Sequence, residues 1–364
     1  MKVFILSDGG SIHTKRWVNS LAESDINIFL FSFHPLCSNE YEKYTNIKTY
    51  SRNISVNKSG FFNKFRYLSL LFEIKKRIKE FKPDLLHAHY ASSYGLLGAL
   101  VDFHPYIISV WGSDVYDFPN KNILYKKIFK FNLRSADQIL STSQNMANEI
   151  KKYTNKQIAI TPFGVDVDLF CKANNKKNEN KIIIGNVKAL AMKYGIDILI
   201  KAFKIIITNN PSINILLEII GDGPEKANLI QLTHNLELQE NIHFLGKIPN
   251  NQLPEYYNRF SIFVSPSILN SESFGVVAVE AMSCECPVVV SDTDGFKEVV
   301  IDGVTGFVVP KKNIIKTAEA IQKILDNPDL GESLGKQGRM RVLELYNWKD
   351  NVSNMLNIYN KIRK

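Results

Sequence analysis

What this sequence has little of narrows it first. It holds four cysteines, Cys37, Cys171, Cys284 and Cys286, without metal-ligand spacing, and no histidine pair stands near Cys284 and Cys286 to complete a tetrahedral site. They read as buried or inert thiols. No apolar run approaches the roughly 18 to 20 residues that a spanning helix requires. The opening MKVFILSDGG carries one lysine and a short apolar run broken by Ser7, Asp8 and two glycines, which reads as a first β-strand rather than a leader. A cytoplasmic protein is the expectation. Repeats of solenoid period and low-complexity tracts are also missing.

What is present is ordinary globular material. An apolar share of 45% with 22% charged residues can bury a real core, and 364 residues are comfortable for two domains. The net charge of +9 is unevenly placed: residues 1 to 165 hold 22 Lys and Arg against 13 Asp and Glu, and residues 166 to 364 hold 23 against 23. The whole excess lies in the first half, which either points that half toward an anionic partner, whether a phospholipid surface, a phosphate-bearing acceptor or nucleic acid, or is a lysine-rich solvated surface.

Short β-branched or aromatic runs alternate with helical stretches: VFILS, INIFLFS, DLLHAH, IISVW, QILSTS and QIAITP, then IIIGNV, INILLEIIG, IHFLG, SIFVSPS, PVVVSD and FVVP. Two successive α/β sets follow, each a doubly wound parallel sheet, divided near residues 165 to 180 where the polar CKANNKKNENK intervenes. Ligands of such sheets bind outside the carboxyl ends of the strands, and with two such domains the cleft between them is the default place to look. Residues 60 to 82, with Phe61, Phe62, Phe65, Leu68 and Leu71 among eight basic side chains counted from Lys58, could lie on an anionic membrane. The width of the apolar stripe favours an amphipathic core helix.

The most informative stretch is 265 to 310, SPSILNSESFGVVAVEAMSCECPVVVSDTDGFKEVVIDGVTGFVVP. A strand ends in a polar loop and a helix begins near Phe274 and Gly275. Its first-turn amides, around Phe274, Gly275, Val276 and Val277, and the helix dipole favour phosphate or sugar oxygens, and Gly275 allows close approach. Glu272 in the loop and Glu280 on the helix frame that turn, and a carboxylate can accept from two vicinal hydroxyls.

This segment resembles the C-terminal signature of family 4 glycosyltransferases, retaining enzymes of the two-Rossmann-domain GT-B fold, through the E-x7-E spacing of Glu272 and Glu280, the flanking SPS, FG, EAM and PVV, Glu298 and the TGF turn at 305 to 307. GNVKALAMKYGIDILIKA at 185 to 202 is similar to the family's basic pair, with Lys188 and Lys193 where an arginine and a lysine grip the donor diphosphate. GDGP at 221 to 224 and HFLGKIP at 243 to 249 also match, the latter pointing to Lys247 and Ile248 as contacts of the base. In the first half, DGGSIHTKRW, DLLHAHYASSYG, SVWGSDV and TPFGVD resemble the glycine loop, the histidine strand end, the HG-x-D segment and the interdomain entry.

The resemblance implies donor contacts from Gly9, Gly10, Lys188, Lys193, Ile248, Glu272, Ser273, Phe274, Gly275, Val276 and Glu280, with Glu272 the catalytic-centre residue that positions the donor sugar. His13, His89 and Asp114 become acceptor-side candidates. Expected domains are 1–165 on the acceptor side, 166–345 binding a nucleotide-sugar, and 346–364 as a closing helix returning to the first. The implied partners are a nucleoside-diphosphate sugar and a saccharide or lipid-linked acceptor of cell-surface polysaccharide synthesis, met at the cytoplasmic face of the membrane; no nucleic acid, no metal and no cofactor are expected. Two departures stand out: Trp111 replaces the histidine of HG-x-D, so no imidazole acts there, and Glu285 replaces a glycine after the EAM helix, so that helix is expected to end differently. Rival readings are a glycoside hydrolase using the two glutamates, a metal-dependent transferase using Asp166, Asp168, Asp292 and Asp294, and a sugar-nucleotide epimerase or non-catalytic binder.

Overall fold

The computed structural model describes residues 1–36, 39–52, 62–173, 181–270 and 272–363. Cys37, Lys58, Phe61 and most of the polar linker lie outside the described residues, as do the side chains of 62 to 65. Two compact units emerge: Met1–Pro162 with Asp350–Lys364, and Phe163–Lys349.

The N-terminal unit is built on β1 (Lys2–Leu6), β2 (Asn27–Ser32), β3 (Ile47–Ser51), β4 (Leu85–His89), β5 (Tyr106–Val110), β6 (Gln138–Ser141) and β7 (Ile158–Ile160), in the order β3-β2-β1-β4-β5-β6-β7. Every neighbouring pair is parallel. Its helices are α1 (Ile12–Glu23), α2 (Leu71–Phe81), α3 (Ser93–Val101), α4 (Ser113–Tyr116), α5 (Ile123–Ser135) and α6 (Gln144–Ile150). Helices cover both faces of a parallel sheet, which is why β4 and β5 are buried at every position. Strand β3 is missing from the sequence reading because it is an edge: in IKTYS only Ile47 and Tyr50 are half-buried, and Lys48, Thr49 and Ser51 are exposed, as on edge strands. Helix α2 turns Ile74 and Ile78 into the core beside Tyr67 and Leu70, so its described part is an amphipathic core helix.

The C-terminal unit repeats the plan with β8 (Ile182–Val187), β9 (Ile215–Ile220), β10 (Ile242–Gly246), β11 (Ile262–Ser265), β12 (Val288–Ser291) and β13 (Phe307–Val309), ordered β10-β9-β8-β11-β12-β13 and all parallel. Its helices are α7 (Ile196–Asn209), α8 (Lys226–Asn235), α9 (Leu253–Arg259), α10 (Val276–Ser283), α11 (Asp294–Val299), α12 (Ile314–Asp326) and α13 (Pro328–Leu345). Helix α14 (Trp348–Arg363) follows, and from Asp350 onward it belongs to the N-terminal unit. There Tyr359 is fully buried, which stabilises the docked helix by about 2 kcal/mol.

Helix α10 corrects one expectation. Despite the missing glycine it ends as a glycine-terminated helix does: Glu285 takes the left-handed conformation at φ 55°, its N–H donates to Met282 O (3.0 Å), and Cys286 N–H donates to Ala281 O (3.0 Å). These are the two hydrogen bonds of a Schellman turn. The turn overrides the preference of the residue because the two carbonyls would otherwise be stranded in a buried corner.

Candidate functional site

In each sheet the strand order reverses at one point, between β1 and β4 and between β8 and β11, and the loops leaving those strands are the natural ligand positions. In the C-terminal unit the loop after β8 carries both lysines. It is held from two sides. Lys188 N–H donates to Ile220 O (2.9 Å), and Gly221, at φ 142°, sits so close that a Cβ would fall 1.8 Å from Lys188 O. From the other side, Ile268 N–H donates to Lys193 O (2.9 Å). The glycine of GDGP is thus fixed by packing against the lysine loop.

Lys188 Nζ lies 2.5 Å from Glu272 Oε2, with the two side chains only 12% and 9% exposed, and Ser267 Oγ donates to the same oxygen at 3.2 Å. Tyr194 stands between the two lysines, its ring centroid 4.8 Å from Lys188 Nζ and 4.9 Å from Lys193 Nζ. A quadrupole facing two ammonium groups holds both near one place despite their repulsion. Removing either partner of so buried an ion pair strands a charge, at a cost of about 3 kcal/mol or more.

Helix α10 starts at Gly275 (φ 88°), where a Cβ would meet the Phe296 ring at 2.6 Å. The first helical bonds are those of Ala278 and Val279 to Gly275 O, so the amides of Val276 and Val277 precede the ladder and face the loop side. Phe274 is buried, packing edge-on against Phe163 and Tyr346, and Ser273 is buried too. The Phe274 ring is therefore a packing element. Glu280, 6% exposed, is gripped at both oxygens: Asn250 Nδ2 donates to Oε1 (3.0 Å) and Tyr257 Oη to Oε2 (2.9 Å). Burial first, and then Glu280, push the Tyr257 hydroxyl far above its ordinary range, so it remains a donor. Asn250 follows Ile248 by two residues, which brings the loop after β10 to Glu280, and Ile248 is half-buried there.

In the N-terminal unit the same topological position is built largely from neutral groups, and its carboxylates, Asp8 and Asp114, accept from backbone amides. Gly9 N–H donates to Ser32 Oγ (3.2 Å), its carbonyl accepts from Tyr41 (2.7 Å), and Gly10 N–H donates to Asp8 (2.9 Å). His87 joins Tyr359 Oη (2.7 Å) and Ser109 Oγ (2.8 Å), while His89 joins Ser7 Oγ (3.0 Å), itself paired with Thr14 (2.7 Å). Burial drives His87 down to about 3 and His89 well below its ordinary value, so both are neutral imidazoles.

The structure puts two acceptor-side candidates beneath the surface. His89 and Asp114 are each 1% exposed. Asp114 accepts from the amides of Ala91 (2.8 Å), Trp111 (3.1 Å) and Gly112 (2.8 Å), tying the loop after β4 to the loop after β5. That is a clamp, with no carboxylate oxygen left toward an acceptor. Trp111 fills the position of the absent histidine, its ring 4.5 Å from His89 and 5.9 Å from His13. His13, half-buried, is the candidate of the three that reaches solvent.

The acidic strings behind the metal-dependent reading are occupied locally. Asp166 accepts from Asp168 N and Leu169 N, Asp168 pairs with Lys349 at 2.7 Å, Asp292 accepts from Lys311 N (2.8 Å), and Asp294 pairs with Lys297 (3.4 Å). Among the described residues no group of three His, Cys, Asp or Glu side chains could hold a metal ion. Sequence reading missed Tyr257, Asn250, Ser267 and Tyr194. Tyr194 was legible as an aromatic directly after Lys193; the others acquire their role only when α9 and the loops after β10 and β11 are brought to the start of α10.

Comparison with known proteins identifies the fold and the family. The solved chain of Anabaena HepE, crystallised with UDP, superposes with a TM-score of 0.84 at 17% identity, covering 99% of this chain and 100% of that one. The fold is therefore GT-B. The family described as Glycosyl transferases group 1 matches residues 170–341, and Glycosyl transferase 4-like matches residues 2–143. An uncharacterized glycosyltransferase, MJ1178 of Methanocaldococcus jannaschii, is 28% identical over 97% of this chain and 95% of its own. The capsular polysaccharide biosynthesis glycosyltransferase CapM of Staphylococcus aureus is 30% identical over 60% of this chain and 59% of its own. This chain belongs to the family 4 glycosyltransferases, and it is a glycosyltransferase.

Proposed function

We propose that the protein transfers a sugar, with retention, from a nucleoside-diphosphate sugar to a saccharide or lipid-linked acceptor of a cell-surface polysaccharide. The supporting observation is the buried Lys188 and Glu272 pair on one side of the α10 start and the doubly held Glu280 on the other. In this reading the diphosphate takes over Lys188 and Lys193 together with the amides at Phe274 to Val276. Glu272, released from Lys188, turns to hydroxyls of the donor sugar. Glu280 receives the ribose, Ile248 and the backbone around it receive the base, and Gly9 and Gly10 approach the donor from the N-terminal unit, which also takes the acceptor. Charge developing on the leaving diphosphate is met by fixed cations and dipoles in a partly dehydrated site, where they act most strongly. No step calls on a metal. The basic N-terminal unit supports work at an anionic membrane surface, and the HepE complex with UDP makes UDP-sugars the first donors to test.

Thermal shift with a panel of nucleoside diphosphates reads donor binding directly. Glu280→Gln and Lys193→Ala are expected to lose transfer by about tenfold or more each, and Tyr257→Phe to weaken donor binding by roughly tenfold through a loosened Glu280. Wild-type rates in the first two proteins would overturn the assignment. So would loss of activity in excess chelator, for the metal-free part, or hydrolysis of oligosaccharide without nucleotide, for transfer itself.

A further inference from the structure

Helix α5 has an unusual outer face. Its sequence, ILYKKIFKFNLRS, contains no acidic residue, and Asn122 caps it by accepting from Leu124 N and Tyr125 N. At 100° per residue Tyr125, Phe129, Asn132 and Leu133 form one side, all buried in the core. The opposite side is a single stripe of Ile123, Leu124, Lys127, Lys130, Phe131 and Arg134, all exposed; the three apolar members are 68%, 40% and 44% accessible. Lys127, Lys130 and Arg134 face Lys151, Lys152 and Lys156 across an open concavity of about 780 Å³, with Phe131 and Tyr153 on its walls. Lys156 also donates to the carbonyls of Arg134 and Ala136, which fixes one wall against the end of α5. Among the described residues the carboxylate paired into this cluster is Glu149, with Lys152 at 2.5 Å.

Helix α2 carries four cations too, with Phe72 exposed beside them (91%), but it intersperses two carboxylates. Arg77 there is paired with both Glu73 (2.7 Å) and Glu80 (3.3 Å). A solvated helix face normally intersperses charges of both signs in that way. On α5, unneutralised cations alternate with exposed aliphatic and aromatic side chains, the composition of a surface that meets phosphate headgroups and the acyl boundary together.

We propose that the outer face of α5, with the 151–156 segment, docks the N-terminal unit onto an anionic lipid bilayer. This rests on the reading of a lipid-linked or cell-surface acceptor and gives that reading its membrane contact. The cations supply attraction within a Debye length of the surface, and Ile123, Leu124 and Phe131 enter the headgroup layer. A polyanionic saccharide or nucleic acid would use the cations and leave the apolar stripe without a function.

Co-sedimentation of the full chain with vesicles tests this. Binding is expected to phosphatidylglycerol–phosphatidylcholine vesicles (roughly 1:2) and not to pure phosphatidylcholine, and to weaken steeply with salt. Each surface cation contributes roughly a fivefold factor, so the triple reversal K127E/K130E/R134E should lower partitioning at least a hundredfold, and Phe131→Ser several-fold. The matched reversal K75E/K76E/K79E on α2 should lower it less than tenfold. The UDP-induced thermal shift is expected to be unchanged in every variant, which shows that each is folded and separates this proposal from the donor-site reading. Wild-type partitioning by the α5 triple variant, a larger loss from the α2 variant, equal binding to neutral vesicles, or binding to dextran sulfate with no effect of Phe131→Ser would overturn it; the last outcome assigns the face to a soluble polyanion. Vesicle binding without any nucleotide-induced shift would leave docking standing and remove the donor assignment.

Discussion

The two units place charge in opposite ways. The N-terminal unit carries 25 Lys and Arg against 14 Asp and Glu, yet at its switch point it holds mostly neutral imidazoles, hydroxyls and an indole, with Asp8 and Asp114 bonded to backbone amides. The C-terminal unit is nearly balanced, 20 against 22, and at the equivalent point concentrates Lys188, Lys193, Glu272 and Glu280. One fold plan therefore serves two purposes. Where charge is collected on the outside it can attract a surface; where it is collected at the strand ends, under cover, it can bind and discharge a polyanion. Net charge alone would not have located the buried cluster of charged side chains in the C-terminal unit.

The sharpest way to break this contrast is to remove the buried cation. Lys188→Met is expected to lower transfer by about 10² to 10³ and to destabilise the C-terminal unit by about 3 kcal/mol, because Glu272 is left buried and unpaired. Adding Glu272→Gln should restore most of the stability and none of the transfer. Denaturant melts and initial rates on the two single variants and the double variant read the two effects separately. Recovered transfer in the double variant would make the pair a structural strut with no donor role.

The next largest effect belongs to the neutral site. His87 is held at about 3, below its unfolded value of 6.5, so the unfolded chain binds more protons anywhere between those values. Stability of the N-terminal unit is then complete above pH 6.5 and falls as the pH drops toward 3, by about 1.4 kcal/mol per pH unit from this residue alone. His89, shifted the same way, steepens the fall. Equilibrium melts at pH 7.5 and pH 5 are expected to differ by about 2 kcal/mol or more in the transition that carries Tyr359. A flat profile would mean that the imidazoles reach water, and the neutral half of the comparison would fail.

Much of this contrast was already legible in the sequence. The alternation of strands and helices pointed to two doubly wound sheets, and the ordered run from Ser265 to the TGF turn carried the resemblance to the family whose model matches residues 170–341. Edge strand β3 escaped because three of its five residues are exposed. The burial of His89 and Asp114 escaped for another reason: a side chain's exposure depends on partners such as Ala91 and Ser7, far away in sequence, and a motif says which residues occur without saying which of their atoms are already taken. Tyr257 and Asn250 were invisible for the same reason.

The smallest expected effect tests the other side of the comparison, that exposed charge in the C-terminal unit matters little. Glu285 pairs with Lys172 at 2.7 Å, but with 22% and 52% of the two side chains exposed that bond contributes less than about 1 kcal/mol. Its left-handed backbone at φ 55° costs a non-glycine residue about 1 kcal/mol or more. Glycine would relieve that strain and return part of the gain as unfolded-state entropy, roughly 0.5 to 1 kcal/mol. The turn itself is kept in place by Gly335 of α13, where a Cβ would lie 2.2 Å from Glu285 O, and by the bonds to Ala281 and Met282. Glu285→Gly is therefore expected to change stability by less than about 1 kcal/mol, in the stabilising direction, with transfer unaltered. A loss larger than that in denaturant melts would show the Lys172 pair to be as consequential as the buried one at Lys188, and the division between covered and exposed charge would no longer hold.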